Sequence, residues 1–180
     1  EAITAPMERW FDRVSAAGGV VCHDVGDQFK ILFGLDAPAP GSHRAAVEAA
    51  RDLSLLVEIE GIRSGLLVAA QVGIASGRIF AEGEDLTDLI AAVEGSVVDV
   101  AQRLSGVAPP GGVVLDARSR DAMGGACRSE RLALIRTRGE ARSQQTWLML
   151  SVVPEHDIVP DAEVRIDQPW AAQRDDELHA

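Results

Sequence analysis

The sequence has little from which to build a covalent or metal framework. Its 180 residues include two cysteines, Cys22 and Cys127, far apart in the chain. Two cysteines make no disulfide scaffold, so reduced thiols in a cytoplasmic protein are expected. Four histidines, His23, His43, His156 and His179, show no HExxH or related spacing, and no zinc site is expected from them. No apolar run reaches the roughly 20 residues that span a bilayer, and no basic segment leads into an apolar one at the N-terminus. The 17 Lys and Arg are outnumbered by 28 Asp and Glu, giving a formal net charge of -11, and the basic residues form no cluster. That excludes a nucleic-acid surface and argues against contact with an anionic membrane. A small acidic pocket that holds metal ions, and through them accepts a phosphorylated ligand, stays open. No repeat or low-complexity tract occurs.

What is present suffices for one core. A 47% hydrophobic content over this length fits a single domain with a tail. The chain opens at Glu1 with Met7 already inside a helical pattern, so the expectation is a segment of something longer. Met7, Trp10, Phe11 and Val14 recur at helical spacing after Pro6, and Gly18-Gly19 closes that helix. His43 to Ile62 predicts an amphipathic helix with Ala46, Ala49, Ala50, Leu53 and Leu56 on its apolar side. Gly65 to Ile74, broken at Ala75-Ser76-Gly77 before Arg78 to Phe80, predicts a hairpin. Ser96 is a candidate N-cap for a helix through Val97, Val100, Ala101 and Leu104. A strand at Val113 to Leu115, a short helix at Ala117 to Met123 and strands at Leu132 to Thr137 and Thr146 to Val152 follow. From Pro154 onward acidic residues dominate, and the tail reads as a linker in which Glu163 to Asp167 could add one strand. This order predicts helices on one face of a largely antiparallel sheet.

The most informative stretch is Gly18 to Gly34, GGVVCHDVGDQFKILFG. Gly26-Asp27 between two apolar runs is a hairpin signal. In the second run Phe29, Ile31 and Phe33 fall on one face and Gln28, Lys30 and Leu32 on the other, the period of a strand with one buried face. The aromatics Trp10, Phe11, Phe29 and Phe33 are expected in the core, and Cys22 as a small buried hydrophobe. Asp27, at the corner, either binds a cation or simply suits the turn.

A second stretch, VEGSVVDVAQRL at Val93 to Leu104, changes the weight of the first. Together with VGIASG at Val72 to Gly77, APPGGVVLD and GEAR at Gly139 to Arg142, the set resembles the catalytic domain of class III nucleotidyl cyclases, over roughly residues 7 to 152. The resemblance implies an α+β, ferredoxin-like α/β sandwich of the class III cyclase type, with the family's first strand not present in this chain and residues 153–180 left as an acidic tail. It implies a head-to-tail homodimer, or a heterodimer with another cyclase domain. It also implies attack of a ribose 3'-hydroxyl on the α-phosphate of ATP or GTP, assisted by two divalent metal ions, Mg or Mn.

Carried over by position, the resemblance makes Asp27 a metal ligand and Arg103 the transition-state arginine. The ribose-orienting asparagine falls at Asp99, the base-selecting lysine at His23 and the base-selecting aspartate at Ala92. The other metal aspartate belongs to the first strand. Each residue also has a plain structural reading: a turn for Asp27, a strand for His23, a helix surface for Asp99 and Arg103. Two functions follow. One is a cyclase, weak or inactive because its substrate-reading residues are altered. The other is a non-catalytic pseudo-cyclase that dimerises and regulates attached domains through nucleotide binding.

Overall fold

The computed structural model describes residues 4–23, 28–35, 41–79, 96–136 and 143–154. Helix α1 (Thr4–Ala16) leads into β1 (Gly19–His23) and β2 (Phe29–Phe33), which pair antiparallel from Gly19 against Phe33 to His23 against Phe29. The helix docks through Trp10 and Val14, at 1% and 2% exposure, and the Trp10 indole N–H donates to the Ala49 carbonyl of the next helix at 3.2 Å. Cys22 is buried in β1 as expected. The expected alternation in β2 is absent: every residue from Lys30 to Phe33 is half-buried, and Phe29 is 40% exposed. Phe29 instead meets Phe11 edge-on, with centroids 5.3 Å apart, at the rim rather than in the core.

Helix α2 (Ser42–Ser64) ends where Gly65 takes a left-handed φ of 69° and donates to the Gly61 and Ile62 carbonyls, the conformation glycine adopts most readily. Its fully buried positions are Val47, Ala50, Ser54 and Gly61; Ala46, Ala49, Leu53 and Leu56 are half-buried flanks. The stripe is rotated from the expected one because a polar residue lies on it. Ser54 tolerates burial by donating to the Ala50 carbonyl at 3.2 Å.

The remaining strands form a second sheet in the order β3-β4-β6-β5: β3 (Val72–Ile74), β4 (Val113–Leu115), β5 (Cys127–Ile135) and β6 (Gln144–Val152). The hairpin expected around Ala75-Ser76-Gly77 does not form among the described residues. Val72 to Ile74 instead pairs parallel with Val113 to Leu115, which requires a crossover, and helix α3 (Ser96–Val107) supplies it. β5 starts at Cys127, earlier than expected, and slips register between Arg131 and Leu134. There the buried Thr146 hydroxyl donates to the Ala133 carbonyl at 2.9 Å and accepts from its N–H at 3.2 Å, replacing the lost ladder bonds.

Helices cover both faces of this sheet, not one. Val113 and Leu115 pack with Val47 and Ala50 of α2 and with Met123 of α4 (Ala117–Met123). Val114, pointing the other way, packs with Val100 and Leu104 of α3, with Ala108 and with Ile135. The three apolar residues of β4 therefore serve two cores, and all three are buried. The two sheets share no ladder among the described residues, although α2 packs on β2 as well as on β3 and β4.

Candidate functional site

Helix α3 carries the clearest part of the site. Its inward face, Val100 and Leu104, is buried, with Leu104 at 0% exposure, worth about 1.5–3 kcal/mol for such a side chain. The helix can sit this close to β3 because position 73 is glycine. A Cβ there would collide with the Ala101 carbonyl oxygen and lie 2.7 Å from the Leu104 Cβ. The middle Gly of the VGI segment is thus the contact that lets α3 lie on the sheet.

The outward face carries Asp99 and Arg103, both exposed and one turn apart, spaced as neighbours on a helix surface. Asp99 lies in the first turn, where a negative charge favours the helix dipole. Among the described residues neither makes an ion pair or a side-chain hydrogen bond.

Of the other predicted residues only His23 is described. His23 is the last residue of β1, paired with Phe29, in the two-stranded sheet. Asp27 and Ala92 lie outside the described residues. The structure brings Asp99 and Arg103 together and leaves the others unplaced relative to them. No group of three or more His, Cys, Asp and Glu that could hold a metal occurs among the described residues. A groove of about 640 Å³ between α1 and α2, lined by Arg9, Asp52, Leu55 and Ile59, contains none of the candidate residues. No helix among the described residues is long and apolar enough to cross a membrane.

Burial pushes the Cys22 thiol up, against the pull of Lys30, its partner across the hairpin. Burial likewise raises Cys127, with Arg120 opposing. Both cysteines are free, and neither environment makes a reactive thiolate.

One polar cluster was not anticipated. Asp116 follows β4 and caps α4, its carboxylate accepting from the Ser119 N–H at 2.8 Å. It also accepts from the Ser76 N–H at 3.4 Å, and the Ser76 and Ser119 hydroxyls lie 2.7 Å apart. The Asp-x-x-Ser spacing signals the cap; nothing in the sequence signals the bond to Ser76, 40 residues away.

The architecture defines a class. It is the fold of class III adenylyl and guanylyl cyclase catalytic domains, which solved structures match over most of the chain. The guanylate cyclase domain of RhGC from Catenaria anguillulae, in complex with GTP, superposes with a TM-score of 0.69 and 16% identity, over 84% of this chain and 83% of that one. The adenylyl cyclase CyaB from P. aeruginosa gives 0.66 and 14%, over 84% and 82%. An adenylate/guanylate cyclase/hydrolase from Silicibacter pomeroyi gives 0.62 and 20%, over 87% and 81%. No protein-family model matches the chain, and no curated protein matches it in sequence. At these identities the likeness is one of fold, and function rests on the site.

Proposed function

We propose that this chain is a class III nucleotidyl cyclase domain with an altered nucleotide site, which binds ATP or GTP and forms cyclic nucleotide and pyrophosphate weakly or not at all. The observation that carries the reading is the outward face of α3: Arg103, exposed and with no ion pair or side-chain hydrogen bond among the described residues, on a helix seated on the sheet through Gly73. The fold's solved examples include a domain in complex with GTP and another with ATPαS. A guanidinium offers a permanently charged fork of donors that suits phosphate oxygens. Asp99 weakens the same site, since a carboxylate accepts but cannot donate as an amide does, and its charge opposes a triphosphate. Ala92 offers the base no polar side chain, and His23 offers a ring in place of a lysine.

Asp27 is the residue that would hold a divalent ion, Mg or Mn. When bound, two such ions polarise the ribose hydroxyl and neutralise phosphate charge. The second metal aspartate of this reading belongs to the family's first strand. Residues 1–152 form the domain and 153–180 its acidic tail. The assembly is a head-to-tail dimer, of two copies or with another cyclase domain; the guanylyl cyclase domain of the RhoGC fusion protein from Blastocladiella emersonii, by contrast, has been solved as a non-canonical dimer and, in a double mutant, as a monomer.

The second reading, a non-catalytic module that regulates attached domains, is favoured by the substitutions at Asp99 and Ala92. One experiment separates the two. The protein is titrated with ATP or GTP and manganese, and cyclic nucleotide is measured by chromatography. Arg103→Ala should weaken nucleotide binding by about tenfold, the worth of one hydrogen bond to a charged group, and Asp27→Ala should abolish any product. Binding with no product selects the regulatory module. Wild-type affinity in both variants would overturn the site.

A further inference from the structure

We infer that Asp116 is a positioning residue for the candidate site, setting the seat on which the first turn of α3 rests. This rests on the proposed nucleotide site but makes a separate structural claim. Asp116 is 8% exposed and binds the end of β3 at two points: its N–H donates to the Ile74 carbonyl at 3.0 Å, and its carboxylate accepts from the Ser76 N–H. The 2.7 Å contact between the Ser76 hydroxyl and the buried Ser119 hydroxyl ties the same turn to α4. The next residue, Gly77, touches α3: a Cβ on it would lie 3.2 Å from both Cβ and Cγ2 of Val97. Asp99 lies two residues beyond Val97, and Arg103 one turn further.

The helix is thus held at two places. Its middle is held by Gly73, against Ala101 and Leu104. Its first turn is held by Gly77, whose position Asp116 and Ser76 fix. An N-cap role for α4 alone would leave the Ser76 contact without a purpose, and the two roles can be separated chemically. Asn caps a helix as well as Asp does, so Asp116→Asn keeps the bond from the Ser119 N–H. With one oxygen replaced by an amide donor, it has no second acceptor for the Ser76 N–H.

The test combines methyl NMR with titration by manganese–GTP and manganese–ATP. In Asp116→Asn the Val97 methyl resonances should move and those of Val47, on α2, should stay. Nucleotide affinity should fall about tenfold, since small misplacements of a binding group are costly. Val47→Ala, a core variant on the opposite face of the sheet, should lower stability and leave affinity unchanged. Unmoved Val97 methyls in Asp116→Asn would overturn the inference, as would an equal loss of affinity in Val47→Ala. If the wild-type protein binds neither nucleotide, the proposed function fails, and the Val97 methyls alone decide whether Asp116 sets the turn.

Discussion

Every residue of β4 is buried, whereas no residue of β2 is. Both strands are short and, apart from Lys30, apolar, so most of the difference lies in what surrounds them. β4 has strands on both sides and helices on both faces. β2 has one strand partner among the described residues and leans on α2. A two-stranded sheet is marginal by itself, and what fastens the hairpin is Trp10, Val14 and Cys22 on its helix side. The proposed site takes Arg103 and Asp99 from α3, which packs on the central sheet, and His23 from the end of β1 in the two-stranded one.

The largest test of that contrast is a pair of glycines. Gly73→Ala drives a Cβ into the α3 backbone, while Gly19→Ala meets the ends of Val14 and Phe33 side chains, which can shift. Chemical denaturation should show a loss of about 4 kcal/mol or more for the first, and about 1 kcal/mol for the second. Comparable losses would mean the hairpin is packed as rigidly as the sheet.

A smaller effect comes from truncation. Leu104→Ala in α3 should cost about 3 kcal/mol, and Ile31→Ala in the half-buried β2 about 1 kcal/mol. An Ile31→Ala cost equal to that of Leu104→Ala would show that the open face of the hairpin is covered in solution.

The smallest effect is in pH dependence. Burial raises the Cys22 thiol above its ordinary value of 9.0, so above that value the native state holds a proton that the unfolded chain has released. Its contribution is full below about pH 9 and is lost as pH rises through the higher native value. Thermal melts should fall more steeply above pH 9 in the wild type than in Cys22→Ala. Equal slopes would mean that water reaches the thiol and the hairpin is looser than its burial indicates.

Much of this was legible in the residues. The Gly26-Asp27 signal marks the hairpin between Gly19–His23 and Phe29–Phe33, and the expected strand at Val113 to Leu115 is β4. Asp99 and Arg103 were legible as one helix face because α3 is local in sequence. The VGI segment was misread as half of a hairpin, since a short apolar run carries no mark of its partner. Its true partner, Val113 to Leu115, lies beyond a helix.

The sequence by itself determined the local elements, the acidic balance and the family-like spacing of the candidate residues, because these depend on neighbours along the chain. Tertiary structure alone decided that β3 runs parallel to β4, that helices cover both faces of the sheet, that Gly73 lies against α3, and that Asp116 reaches Ser76. Each of these is a contact between residues far apart in sequence, fixed by packing and by the need to satisfy buried polar groups.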